Sequence, residues 1–257
     1  MGQPRVADEA DVRWITFDRP ESGNALHLDD LEQVAEAVRG VHGRARAIAF
    51  TGSGHVFSGG MHVDTFAEAG PDDGRAVISR VRDCLAEVRH CAVPTVAVLN
   101  GHCVGAAFEL ALACDLRVAH HGVRVGLPEV KLGIPSVVEA ALLHQYIGLS
   151  KAKELVLTGE LYPLGTFAGH DLANRTVEPG RLRTVALELL ASVTAHTAEV
   201  IAAQKSLFET WLNDGLQRSV DTSVDVFAEV FREPATAEAV AAYRSSRRPS
   251  RPAPEAG

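Results

Sequence analysis

One stretch, Val93 to Pro135 (VPTVAVLNGHCVGAAFELALACDLRVAHHGVRVGLPEVKLGIP), limits most sharply what this chain can fold into. Its opening, Val93 to Leu99, is apolar and β-branched, bounded by Pro94 and by Asn100-Gly101, and predicts a buried strand. Gly101 and Gly105 follow. Ala106 to Cys114 is then apolar on nearly every helical face, which predicts a helix buried on all sides. That helix nevertheless carries one carboxylate, Glu109, in its first turn. A buried carboxylate is costly unless something pairs with it or uses it.

The junction between strand and helix carries the chemistry. The first backbone N–H groups of a helix lack intrahelical partners and stand at the positive end of its dipole. Such an end holds a negative oxygen well, whether of a phosphate or of an enolate. Glu109 lies three residues after Ala106 and projects from about the same face one turn on. A second carboxylate, Glu129, follows in the loop GLPEVKLG, whose path is fixed by Gly126, Pro128, Gly133 and Pro135. Taken alone, Glu109 reads as the ordinary acid of a helix start. The company it keeps shifts that reading.

Upstream, Asp11 to Asp18 predicts a strand, Leu28 to Val41 a helix and Arg46 to Thr51 a further strand closed by Gly52-Ser53-Gly54. Strand, helix, strand in this order predicts an α/β architecture. Phe57-Ser58-Gly59-Gly60-Met61 comes next, with two glycines that let backbone approach a ligand closely.

The runs NGHCVGAAFELALACDLRVA and GLPEVKLGIP, together with FTGSGHVFSGGMHVDTF, resemble the two signatures of the crotonase superfamily, the enoyl-CoA hydratase/isomerase family. The resemblance spans about Val12 to Tyr243. It implies a spiral of ββα repeats, acyl-CoA thioester substrates, and trimers or hexamers. By the same resemblance the N–H groups of Met61 and Ala106 form an oxyanion hole, with Ser58, Gly59, Gly60 and Gly105 around it. Asn24-Ala25-Leu26 matches the triplet lining the adenine pocket of coenzyme A, although Ser22-Gly23 stands where a basic residue often precedes it. His62 replaces an aspartate that often follows Met61's position, and reads as a loop residue. The clearest departure is Ser136-Val137-Val138-Glu139-Ala140, where relatives have a glycine-rich turn. Glu139 is expected either as a third acid facing the acyl pocket or as a solvated helix-start charge.

Other chemistries are not signalled. No G-x-S-x-G elbow, P-loop or H-E-x-x-H helix occurs, and the eleven histidines are scattered, so no metal is indicated. The net charge of −8 and the lack of a basic, aromatic-bearing groove argue against nucleic acid. Cys84, Cys91, Cys103 and Cys114 form no C-x-x-C pair and read as reduced core thiols. No membrane-length apolar run and no signal core are seen, so cytoplasm is the expected compartment.

From Arg181 onward helical periods dominate. The chain is expected to divide into a crotonase-like spiral core (1–180), a helical trimerisation region (181–245) and a disordered tail (246–257). Lys205, Arg244, Arg247 and Arg248 are candidates for CoA phosphates or else a solvated face. Retention of both acids points to an enoyl-CoA hydratase, with Glu129 giving the proton to Cα and Glu109 activating water. An isomerase or other crotonase-type acyl-CoA chemistry (thioester hydrolysis or decarboxylation) acting through Glu129, or a non-catalytic RNA-binding relative, is the alternative. No cofactor is expected beyond the coenzyme A of the substrate.

Overall fold

In the computed structural model, which describes residues 2–67, 69–167, 169 and 172–246, a strand–strand–helix unit recurs along the chain. A hairpin of β1 (Arg5–Glu9) and β2 (Val12–Phe17) leads into α1 (Leu28–Arg39). Then come β3 (Ala47–Gly52), β4 (Val56–Ser58) and α2 (Pro71–Arg89), followed by β5 (Thr95–Leu99), β6 (His102–Val104) and α3 (Ala106–Ala113). The next turn has β7 (Leu116–His120), β8 (Arg124–Gly126) and α4 (Leu143–Thr158). The short β9 (Tyr162–Pro163) and β10 (Arg175–Val177) precede α5 (Leu182–Thr194).

In each repeat the first strand enters one sheet and the second enters another. β3, β5 and β7 run parallel within a six-stranded sheet ordered β1-β2-β3-β5-β7-β10. β4, β6 and β8 run parallel in a four-stranded sheet, with β9 antiparallel at its edge. This is the ββα spiral expected of an α/β chain with these signatures.

The six-stranded sheet is covered on both faces, which is why its strands read as continuous apolar runs rather than alternating ones. Ile15, Phe17, Ile48, Phe50, Ala97 and Leu99 face the larger core. On the other side Trp14, Ala47, Ala49, Val96, Val98 and Val118 meet Leu182, Ala186 and Leu190 of α5. Helix α5 therefore packs with the strands, within a compact unit Met1–Ala195.

Two local outcomes differ from the sequence reading. The runs SVVEAALLHQYIG and SKAKELVLT each predict a helix, but Val138–Leu142 is a 3-10 turn, and α4 starts at Leu143 and runs on through SKAKELVLT. Gly148 breaks α4 with φ of 73° and ψ of 156°, so two expected helices are one kinked element. Helix α2 had no counterpart in the reading, although its signals are ordinary. Pro71 at the start, Asp72 and Asp73 in the first turn, and Val77, Val81, Cys84, Leu85 and Val88 on one face all mark it.

The second compact unit, His196–Gly257, contains α6 (Ala198–Asn213), α7 (Leu216–Val230) and α8 (Pro234–Ser246). Lys205 lies on α6 and Arg244 on α8; Arg247, Arg248 and the remainder of the expected tail lie outside the described residues. All four cysteines are free and buried. Among the described residues no single helix is long and apolar enough to cross a membrane.

Candidate active site

Helix α3 is held at both ends. At its carboxyl end the buried Arg117 guanidinium donates to the carbonyls of Ala111 and Cys114, at 3.0 and 2.8 Å, where a cation also suits the helix dipole. At its amino end Gly105 has φ of 59° and ψ of −137°, a backbone conformation open essentially to glycine alone. Its carbonyl accepts from the N–H groups of Phe108 and Glu109. Ala106 is the first helical residue, so its own N–H has no intrahelical acceptor.

The Phe57–Met61 loop is brought against this helix start. Phe57 is fully buried, its ring edge-to-face on Phe17 with centroids 5.4 Å apart, a contact contributing about 0.5–1.5 kcal/mol beyond burial. Ser58 is buried too; its hydroxyl donates to the Asn24 carbonyl at 2.8 Å and accepts from Gly60 N–H. Gly60 has φ of 88°, and a Cβ there would stand 2.7 Å from the Val104 carbonyl and 3.3 Å from Ala106 N. Only glycine permits that approach. Leu26 and Met61 form a bridge whose hydrogen bonds use the N–H groups of Leu26 and His62, leaving that of Met61 outside the ladder.

These elements enclose a cavity of about 260 Å³. Gly59, Met61, Gly105, Ala106, Glu109 and Glu129 line it, as the sequence pairs them. Apart from Lys131 the remaining wall is apolar: Val63, Phe66, Ile78, Val81, Leu132, Ile134 and Val137, with Pro128 and Pro135.

The two carboxylates differ in environment. Glu129 lies on a 3-10 turn, Pro128–Leu132, and accepts from the Ser136 hydroxyl at 2.8 Å. Glu109 is 3 % exposed. The backbone amides of Ala140 and Val137 favour its charged form, yet its buried Oε1 has no hydrogen-bond partner. Burial, reinforced by the charges of Glu129 and then Glu139, pushes Glu109 well above the usual carboxylate range, against the pull of those two amides.

Other sequence candidates are placed differently. Asn24 is buried; its carbonyl Oδ1 accepts from Arg19 N–H, and its amide donates to the carbonyls of Ser53 and Val56 at 2.9 and 2.7 Å. Its side chain thus fastens the Phe57–Met61 loop, while Asn24, Ala25, Leu26, Ser58 and Gly60 stay off the cavity wall. His62 begins a 3-10 turn, accepting from Asp64 N–H and stacking on His27 with centroids 4.7 Å apart. Glu139 follows neither expectation. It is buried rather than solvated, and it turns from the cavity toward Arg89 of α2, with Nη1 to Oε1 at 3.8 Å. Val138 before it has φ of 39°, which aims the turn inward.

Three kinds of site residue escaped the sequence. Ser136 hid among the departures from the family turn, and the Val137 and Ala140 amides carry no side-chain signal. Val63, Phe66, Ile78 and Val81 are apolar side chains, which in a sequence mark a core as readily as a ligand wall. Among the described residues no group of His, Cys, Asp and Glu could hold a metal ion.

Comparison with known proteins agrees with this geometry. Residues 7–251 match the family model described as enoyl-CoA hydratase/isomerase. The chain is 27% identical over 218 residues to the short-chain-enoyl-CoA hydratase of Clostridium acetobutylicum, covering 83% of this chain and 82% of that one. It superposes on an enoyl-CoA hydratase subunit from Geobacillus kaustophilus with a TM-score of 0.88 at 25% identity, over 97% of this chain and 98% of that chain. A Thermobifida fusca structure solved in complex with CoA gives a TM-score of 0.81 at 25% identity, covering 91% and 94% of the two chains. Two signatures meeting at one cavity, on a spiral of this topology and with matches along nearly the whole chain, make this protein an enzyme of the enoyl-CoA hydratase/isomerase family.

Proposed function

We propose that the enzyme is an enoyl-CoA hydratase, adding water across the double bond of a 2-enoyl-CoA thioester. The observation that carries this reading is the meeting of two carboxylates, Glu109 and Glu129, with the N–H groups of Met61 and Ala106 on one cavity. The CoA-bound relative from Thermobifida fusca supports a CoA thioester as the substrate. Asn24, Ala25 and Leu26, bridged to Met61, are assigned to the adenine side of that ligand. A cavity of about 260 Å³ is small for a ligand site and favours a short acyl group.

In this mechanism the thioester oxygen lies between the Met61 and Ala106 amides, which stabilise the enolate as charge gathers on it. Losing one such donor typically costs about 3 kcal/mol of barrier. Glu129 is adjacent to Gly105 and hence to the thioester, so it serves Cα; a Cβ on Gly105 would lie 2.9 Å from its Oε1. Glu109, one helical turn beyond Ala106, serves Cβ. Water gives its proton to Glu109 as its oxygen bonds to Cβ, and Glu129 gives a proton to Cα, so one water is added and the pair keeps one proton. Burial favours that proton on Glu109. Two interacting acids titrate as a unit, and a bound water bridging the pair relays the proton to Glu129. No cofactor beyond the coenzyme A of the substrate enters these steps.

A trimer or hexamer is the proposed assembly. Along α7 and its C-cap Phe231, Leu216, Val220, Val224, Phe227 and Phe231 are all exposed at helical spacing, and α6 adds Phe208, Trp211 and Leu212. A cytoplasmic setting suits four buried free thiols. The functional test offers purified protein crotonyl-CoA and a 3-enoyl-CoA and resolves products by mass. A gain of one water from crotonyl-CoA is expected; rearrangement of the 3-enoyl substrate without that gain would point to isomerisation instead.

A further inference from the structure

The turn Val137–Ala140 lies against Glu109, whose carboxylate lines the cavity. Its Val137 and Ala140 amides favour the charged carboxylate, whose Oε1 is buried without a hydrogen-bond partner. The turn is under strain. Val138 is β-branched yet has φ of 39°, and such a conformation persists only where the surroundings over-determine it. What holds it is the next residue. Glu139 is 5 % exposed, and its carboxylate stands 3.8 Å from the Arg89 guanidinium at the end of α2.

We propose that Glu139 and Arg89 form a positioning pair for Glu109: anchored on α2, Glu139 fixes the strained turn against the Glu109 carboxylate and so sets where that carboxylate stands on the cavity wall. The role assigned to Glu109 rests on the hydratase reading; its positioning does not. The ionisable groups around Glu109 are few. Glu129 faces it from the Pro128–Leu132 turn and Glu139 from the Val138–Leu142 turn; on α2, Arg89 pairs with Glu139 and Cys84 feels the Glu139 charge. Burial above all pushes the Cys84 thiol up to about 12, so it stays neutral. Lys131, also on the cavity, is engaged by Glu160 at 2.7 Å.

The test follows the Glu109 carboxyl by carbon NMR in protein labelled at glutamate, the signal being assigned by its loss in Glu109→Gln. Arg89→Met frees the turn, loosens the two amides and leaves Glu139 without its cation, so the Glu109 titration should move to higher pH by about half a unit or more. Arg89→Lys should restore it. With crotonyl-CoA, Arg89→Met should lower kcat by about tenfold while KM stays within about twofold, as expected of a misplaced group rather than of lost binding. Glu139→Gln breaks the same ion pair, so with crotonyl-CoA it too should lower kcat by about tenfold with KM within about twofold; it carries the test if Arg89→Met does not fold. A Glu109 titration unmoved in the variants, with kcat unchanged, would overturn the proposal. The titration needs no substrate: a protein that fails to hydrate crotonyl-CoA sinks the hydratase reading, and the carboxyl signal still decides this one.

Discussion

Gly105 leaves open the space that the Glu129 carboxylate needs: a Cβ on Gly105 would stand 2.9 Å from Glu129 Oε1. The same glycine has φ of 59° and is the cap from which the Ala106 amide points. One residue therefore sets the spacing between the Ala106 amide and the Glu129 carboxylate. Gly105→Ala is expected to cost about 1–3 kcal/mol of stability through backbone strain. It should lower turnover by about 10²-fold or more by moving Glu129. Thermal melts and steady-state rates check both effects together.

Glu109→Gln should abolish most activity and yet stabilise the fold. Turnover is expected to fall by about 10²-fold or more, as for loss of an acid–base group. The stability effect has a definite sign. The folded protein holds the Glu109 proton to higher pH than the unfolded chain does. Stability from this group is therefore present below the ordinary carboxylate range and is lost as pH rises toward the raised value. The variant should melt higher than the wild type at pH 8, with the gap closing at pH 5. A lower melting temperature at pH 8 would contradict the burial argument.

The rate itself should fall on the alkaline side. Hydration requires the carboxyl pair to keep one proton, and full ionisation of the pair removes the donor to Cα. A pH profile of kcat with an alkaline limb that disappears in Glu109→Gln is expected.

Ser136 was visible in the sequence only as a departure from a glycine-rich turn, and its role came from geometry: its hydroxyl donates to Glu129 at 2.8 Å. Ser136→Ala should lower kcat by about tenfold with little change in melting temperature, since one positioning hydrogen bond is lost from a half-exposed site. Ser136→Thr, which keeps the hydroxyl, should recover part of the rate.

The helices of the second unit make a separate expectation. Phe227→Glu on the exposed face of α7 should shift the protein toward a lower oligomeric state in light scattering. A wild-type monomer at micromolar concentration would remove the trimer.

Much of the frame was legible because local signals and burial agree there. The parallel strands β3 and β5 carry unbroken apolar runs, and Gly105 ahead of an all-apolar helix marks the junction with Glu109. What stayed hidden depends on contacts between distant segments. The sequence does not say that Asn24 would spend its amide on Ser53 and Val56, or that Glu139 would find Arg89 fifty residues earlier in the chain. The Val138–Leu142 turn misled for a related reason. Its residues favour helix locally, while the packing against α2 and α3 bends them into a tighter path.

The central claim is that Glu109 and Glu129 together add water to an enoyl thioester beside the Met61 and Ala106 amides. Its most direct test is mass analysis of crotonyl-CoA after incubation with the wild type, Glu109→Gln and Glu129→Gln. The wild type should convert the substrate to a product heavier by one water, and each variant should do so slower by about 10²-fold or more. Hydration by either variant near the wild-type rate, or no hydration by the wild type, would contradict it.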